Sequence, residues 1–333
     1  MKILICSHSF HPSVGGIETV SRILAEEFTR QGATVTLVTE TLGTGSYPYS
    51  VIRQPSSVEL LRVGRRADLI LQSNISLKTL LPLLLLRKPI VITHHTWLTR
   101  ADGHLGWQDR IKRAILPLCH NISISRSIAE SLPVKSVILS NPFEMDFFLP
   151  FRNTPKLKDI VFMGRLVSDK GCDLLLHALA LLQKDGFYPS VSIIGEGTER
   201  SSLEAMTLVL GLSTQVQFMG SVTENRGREI AQHKVMVIPS RWSEPFGLVA
   251  LEGIAAGCVV VASSQGGLAE AVGPCGLLYP NGDVVAMATA LKRLLSDENL
   301  RIELTFESEI HLRKFAPSAA AQHYLEFFRK ITS

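Results

Sequence analysis

Short runs of Val, Ile and Leu recur along the whole chain, and many are separated by stretches of helical periodicity. In the first half these runs predict strands at residues 2–7, 34–39, 67–72, 90–93, 122–125 and 136–139. In the second half they predict strands at 160–163, 190–194, 216–219, 235–238, 259–262 and 276–279. Most runs are continuous rather than alternating, which suits parallel strands buried on both faces. Residues 17–30, 173–184 and 284–295 read as amphipathic helices. Alternation of this kind predicts βαβ units and doubly wound α/β sheets.

The pattern resets once. After Ser140-Asn141-Pro142, a stretch of mixed charge with Pro150 and Pro155 runs to Lys158 and reads as a linker. About six strands fall on each side. The expected fold is two Rossmann-like domains facing a cleft, spanning residues 1–150 and 151–316. Residues 317–333 are expected to form a terminal helix that could pack back on the first domain. Ligands of such sheets bind beyond the carboxyl ends of the strands.

Composition narrows the class. The chain has 333 residues, 46% hydrophobic and 19% charged, enough for a core in each half and unlike a disordered chain. The aliphatic run at 80–86 contains Pro82 and is far too short to span a membrane. The N-terminal residues read as a first strand rather than a signal peptide. Five cysteines, none in a C-x-x-C pair, suit a reducing cytosol better than a disulfide framework or zinc site. A cytoplasmic protein is expected, with peripheral attachment to the inner face of a membrane left open. The net charge of +4 is too small to signal nucleic acid. Its distribution says more: residues 1–153 hold 17 Lys+Arg against 11 Asp+Glu, whereas the rest hold 17 against 19.

Candidate chemistry gathers where strands end. Gly15-Gly16, before the first helix, permit positive φ and close backbone approach to an anion, or form a simple tight turn. Arg165 and Lys170 flank a turn leading into a helix, where a planar fork and a point charge could hold a diphosphate. Surface charge paired with Asp169 is the alternative. Gly195-Glu196-Gly197 is too short for a dinucleotide fingerprint and could be a plain βα turn. The segment from Pro239 to Glu252 is the most informative. A strand is expected to end at Ser240 and a helix to begin near Pro245. Glu244 and Glu252 would then lie about 12 Å apart, able to touch two ends of one extended ligand. Free N–H groups at Phe246, Gly247 and Leu248 could meet an anion or a hydroxyl. A helix-capping Glu244 and a solvated Glu252 are the bland alternative. His94 and His95 follow the strand at 90–93, and a single active-site histidine fits there better than a metal pair.

In order and spacing, these motifs resemble the retaining glycosyltransferases of family four, which have the GT-B fold. The resemblance spans nearly the whole chain and is strongest over residues 158–282. It is carried by Gly15-Gly16-Ile17-Glu18, His95, Arg165…Lys170-Gly171, Gly195-Glu196-Gly197, Pro239-Ser240, the Glu244/Glu252 pair and Gly266-Gly267…Glu270. It implies a nucleotide-diphosphate sugar donor held mainly by the second domain, with neither metal nor cofactor. By motif position, Arg165 and Lys170 would bind the diphosphate. Glu244, with the amides of Phe246, Gly247 and Leu248, would hold the sugar hydroxyls, and Glu252 the ribose. Gly195, Glu196, Gly197, Met219 and Gly220 would flank the base. Gly15 and Gly16 would let the first domain approach the phosphates, and His95 would line the reacting sugar.

The chain departs from the family pattern in three places. Ala269 stands where the family often has proline, residues 224–234 are unusually basic, and the first half is short. The acceptor is therefore left as a glycan, a lipid-linked molecule or a small molecule. Trp97, Arg100, Trp107, Arg110, Lys112 and Arg113, with Arg62, Arg65 and Arg66, suggest an anionic membrane surface or anionic acceptor, or simply a solvated basic face. Other readings of the architecture are a nucleotide-sugar 2-epimerase, a phosphorylase-like transferase and a non-catalytic nucleotide-sugar-binding protein.

Overall fold

A computed structural model describes residues 1–13, 15–99, 106–222 and 225–332. Val14, Arg100 and Glu224 lie outside the described residues. The chain forms two compact units, Met1–Phe143 with Phe315–Ser333, and Glu144–Lys314.

The first unit holds strands β1 (Lys2–Ser7), β2 (Thr34–Thr39), β3 (Ser50–Arg53), β4 (Leu69–Ser73), β5 (Ile90–His94), β6 (His120–Ser123) and β7 (Val137–Ile138). They form one parallel sheet in the order β3-β2-β1-β4-β5-β6-β7. The helices are α1 (Gly16–Arg30), α2 (Ser57–Arg66), α3 (Leu77–Leu84), α4 (Trp107–Ile115) and α5 (Arg126–Ser131). The second unit holds β8 (Lys158–Met163), β9 (Val191–Ile194), β10 (Val216–Gly220), β11 (His233–Ile238), β12 (Val259–Ser263) and β13 (Gly276–Tyr279). These are parallel in the order β10-β9-β8-β11-β12-β13. Its helices are α6 (Cys172–Lys184), α7 (Arg200–Val209), α8 (Arg226–Ala231), α9 (Leu248–Ala255), α10 (Leu268–Val272), α11 (Val284–Ser296), α12 (Glu298–Phe306) and α13 (Ser308–Arg313).

The central strands are aliphatic because helices cover both of their faces. All five residues of β4, β5 and β12 are buried. Against β8, helix α6 packs Leu175, Leu176 and Leu179, each fully buried, in one core with Ile160 and Phe162. β3 was not expected from the pattern. It is a half-exposed edge strand, so no continuous apolar run marks it.

The last helix, α14 (Pro317–Thr332), belongs with the first unit. Its Tyr324 and Phe328, both fully buried, meet Phe28 of α1 with ring centroids 6.1 and 5.6 Å apart. Aromatic packing of this kind explains why a segment so distant in sequence is held there.

Each sheet reverses its strand order once, at β1/β4 in the first unit and at β8/β11 in the second. Loops leaving the carboxyl ends of such a pair diverge and open a crevice. Phe328→Ala removes a fully buried ring, so about 3–5 kcal/mol of stability should be lost. Chemical denaturation followed by circular dichroism checks this, and loss of under 1 kcal/mol would show that α14 is not part of the core.

Candidate functional site in the second unit

The two loops that diverge at the β8/β11 reversal carry the residues of greatest chemical interest. After β8, the chain makes a short 3-10 turn at Ser168–Lys170, and Gly171 takes a left-handed conformation (φ 64°) before α6. A Cβ on Gly171 would lie 2.0 Å from the Pro239 carbonyl oxygen, so only glycine lets the two loops touch. The contact is closed by hydrogen bonds. Arg241 N–H and Trp242 N–H donate to the Asp169 carbonyl at 2.9 and 3.3 Å. The Arg241 guanidinium pairs with the Asp173 carboxylate, one hydrogen bond being 2.6 Å long.

This clamp brings Lys170 to Glu244. The Lys170 ammonium donates to Glu244 Oε1, which also accepts from Ser240 Oγ at 2.8 Å. The Glu244 Oε2 atom carries no partner among the described residues. Glu244 is fixed from the other side by Gly266, with which it forms a parallel bridge. Gly267 N–H donates to the Glu244 carbonyl at 2.7 Å. A Cβ on Gly266 would lie 2.2 Å from that carbonyl, and one on Gly267 2.4 Å from the Pro245 carbonyl. Arg165, on the same loop as Lys170, is exposed and has no side-chain partner among the described residues.

Two expectations need correction. The helix does not begin near Pro245; α9 starts at Leu248, because Gly247 (φ 115°) turns the chain only there. The strand likewise ends at Ile238, not Ser240. Glu244 therefore lies in a loop, and helical rise does not set its distance from Glu252. The N–H groups at the start of α9 remain those of Gly247 and Leu248, while the Phe246 side chain is buried.

Glu252 lies on α9 and its Oε1 pairs with Arg226 of α8 at 3.1 Å. Its Oε2 is buried without a partner among the described residues. Burial raises its pKa to about 7, and the nearby Arg226 cation opposes that rise. The Arg226 guanidinium also sits 5.5 Å from the centroid of the Phe148 ring. Sequence reasoning missed Arg226 and the Arg241–Asp173 clamp. The basic character of residues 224–234 was the one available sign of Arg226.

The loops after β9 and β10 adjoin. Gly195 N–H donates to the Gly220 carbonyl at 2.8 Å, and both glycines have positive φ. Cβ atoms on Gly195 and Gly197 would collide with the backbone of Gly164 and Leu166. Glu196 is exposed, paired with Arg200, and lies beside Gly220. Met219 is half-buried at the end of β10.

In the first unit, neither Gly15 (φ −176°) nor Gly16 uses positive φ, so that allowance is not what these glycines supply. A side chain at Gly15 would instead strike Glu18 Oε2. The two histidines separate. His94 is buried and its Nε2 meets Asn121 Oδ1 at 2.9 Å. Asn121 in turn donates to the Leu116 and Cys119 carbonyls, which makes His94 part of the core. His95 is positioned by its own N–H, donated to Asn74 Oδ1 at 2.7 Å. Burial lowers its pKa to about 4; His94 adds to the effect and the Asn141 side chain opposes it. The ring is neutral near pH 7. Among the described residues no group of three or more His, Cys, Asp or Glu gathers to hold a metal ion.

Comparison with known proteins bears on the fold and on the second unit. Residues 157–297 match the family model of glycosyl transferases, group 1. Over 185 residues the chain is 36% identical to a D-inositol 3-phosphate glycosyltransferase of Corynebacterium urealyticum, covering 52% of this chain and 43% of that one. It is 34% identical over 209 residues to an uncharacterized glycosyltransferase of Methanocaldococcus jannaschii, covering 55% and 52%. The chain thus spans about half or less of the length of these curated relatives. Among solved structures, Anabaena HepE in complex with UDP superposes with a TM-score of 0.82 at 21% identity, covering 99% of this chain and all of that one. Sucrose-phosphate synthase of Thermosynechococcus elongatus gives 0.79 at 22% identity, covering 99% and 98%. The fold is GT-B, a pair of Rossmann-like domains. The family match lies wholly within the second unit.

Glu252 has a testable signature. Its pKa is about 7 in the fold against about 4.5 in the unfolded chain, so the folded state binds the extra proton between those values. Stability linked to this group must therefore fall as pH rises from about 4.5 to 7. In Glu252→Gln that dependence is removed. The melting temperature of the variant relative to the parent should climb by a few degrees from pH 5 to pH 8. A difference that is flat or declines would show that the carboxylate is not desolvated.

Proposed function

We propose that the chain is a glycosyltransferase that moves a hexosyl unit from a nucleotide-diphosphate sugar to an acceptor hydroxyl, with retention of anomeric configuration and without a metal. The observation that supports this best is the Lys170–Glu244–Ser240 arrangement at the strand-order reversal of the second sheet, with Arg165 exposed beside it.

The roles follow from donor and acceptor counting. An ammonium has three N–H donors, so Lys170 can keep Glu244 on one and offer two to a phosphate. Arg165 adds a fork suited to phosphate oxygens. Glu244 Oε1 is occupied by Lys170 and Ser240, which leaves Oε2 to accept from a sugar hydroxyl. The amides of Gly247 and Leu248 offer further donors at the start of α9. Glu252 would accept from the ribose hydroxyls, with Arg226 setting its charge. The glycine-lined loops at Gly195–Gly197 and Met219–Gly220 would take the base, where a bulky side chain could not fit. In the first unit, neutral His95 can exchange a hydrogen bond with a sugar hydroxyl.

In the transfer, the bond from the anomeric carbon to the donor phosphate oxygen breaks, and a bond from the acceptor oxygen forms on the same face. The electron pair of the broken bond goes to the leaving diphosphate, whose oxygen takes the acceptor proton. Charge grows on that diphosphate, and the cations of Lys170 and Arg165 would oppose it. The mechanism asks no general base of the protein.

Steady-state assay against a panel of nucleotide sugars and acceptors tests the reading. Lys170→Ala and Arg165→Ala should each cut kcat about 10²–10³-fold, as loss of one preorganised donor does. Product with the anomeric configuration of the donor is expected in the presence of a chelator. Parental turnover in Lys170→Ala, or an epimerised donor with no glycoside, would overturn it.

A further inference from the structure

The parallel strands β8, β11 and β12 are neighbours, and their amino ends lie at the end of the sheet away from the Lys170–Glu244 loops. A cavity of about 420 Å³ opens there. Three cations line it: Lys156 just before β8, Lys234 of β11 and Arg301 of α12. Val259 and Ile302 give it an apolar wall. Among the described residues, Glu298 is the one acidic residue of the lining, so the net charge there is positive.

Lys156 is the centre of the cluster. Its half-buried ammonium donates to the Ala231 and Ala256 carbonyls, both at 2.9 Å, at the carboxyl ends of α8 and α9. An ammonium has three N–H donors, so one remains. Among the described residues Lys156 has no ion pair. Gly257 (φ 82°) lets a second cationic side chain approach. A Cβ there would lie 3.1 Å from Lys156 Nζ, 3.2 Å from Arg152 Cγ and 2.7 Å from the Arg152 carbonyl oxygen. Burial, and then the Arg152 cation, hold the Lys156 ammonium below the ordinary lysine range, while Cys258 opposes the shift.

The other cations are also under-partnered. Arg301 Nη1 donates to the Leu294 and Leu295 carbonyls at 2.6 and 3.2 Å. Its Nε and Nη2 have no partner among the described residues. Arg152 Nη2 donates to Ser308 Oγ and, at 3.3 Å, to the carbonyl of Thr305, which lines the same cavity. Of the four, Lys234 is the one with a carboxylate, Asp159 at 2.8 Å. Cations at helix carboxyl ends oppose the helix dipole, but each end supplies only about half a negative charge. That role leaves N–H donors of Lys156 and Arg301 unused beside a cavity. Like charges gathered there repel one another, and a bound anion would relieve the repulsion.

We propose that this cavity binds a small phosphate monoester, its phosphate oxygens on Lys156 and Arg301 and its organic group against Val259 and Ile302. A planar fork beside a point charge suits a phosphate. The volume falls within the range of small-molecule sites. The assignment stands whether or not the transferase reading does, because it uses none of the residues at the Lys170–Glu244 loops.

Titration calorimetry of the full chain with inorganic phosphate and with phenyl phosphate, at fixed ionic strength, is the test. Both should bind, phenyl phosphate the more tightly. Arg301→Gln and Lys156→Gln should each weaken binding at least tenfold, as loss of one charge-assisted hydrogen bond implies. Lys170→Ala should bind both anions as the parent does. Lys156 also holds two helix ends, so if Lys156→Gln does not fold, Arg301→Gln with parental circular dichroism decides. Absence of binding to the parent, or parental affinity in Arg301→Gln, would overturn the proposal. Binding lost in Lys170→Ala would overturn it too, by assigning the anion to the loops after β8 and β11.

Discussion

The second unit is organised around one ion pair, Lys170 with Glu244. The two side chains come from loops 74 residues apart in sequence, and each is largely shielded from water. Such a pair is stable only if both partners are held in place and their remaining hydrogen-bonding capacity is met. Backbone contacts do the holding. Gly171 lies against Pro239, and Gly266 and Gly267 lie against Glu244 and Pro245, at distances no side chain would allow. The Arg241–Asp173 pair and the hydrogen bonds to the Asp169 carbonyl tie the same two segments together. The glycines are thus part of the electrostatics: without them the carboxylate and ammonium could not meet.

This geometry explains why the strand order matters. At β8 and β11 neighbouring strands send their connections in opposite directions, which opens space above the sheet. The first unit repeats the arrangement at β1 and β4, near Asn74 and His95. There the result is a neutral, buried imidazole rather than a charged pair. One side chain, Asn74, orients the His95 backbone, whereas Asn121 draws His94 into the core.

Most of the fold was legible in the chain. Continuous aliphatic runs mark buried parallel strands, and twelve such runs correspond to twelve of the thirteen strands, some with ends shifted by one or two residues. β3 escaped because an edge strand needs only one apolar side. The site was legible as residue types but not as partnerships. Lys170 and Glu244 could be read separately from their loops, yet nothing local says that they bond to each other. The Arg226–Glu252 pair joins two helices, and the start of α9 depends on the backbone angle of Gly247. Proline at position 245 favours a first helical turn locally, but the bridge between Glu244 and Gly266 keeps that segment extended.

The central claim is that this pair of loops receives a nucleoside diphosphate through Lys170. Titration calorimetry of the parent and of Lys170→Ala with UDP, GDP and ADP, all with a chelator present, tests it most directly. The account predicts that at least one diphosphate binds the parent and that the variant binds it at least tenfold more weakly. Equal affinity in parent and variant, or no binding of any diphosphate or of the corresponding nucleotide sugars, would contradict it.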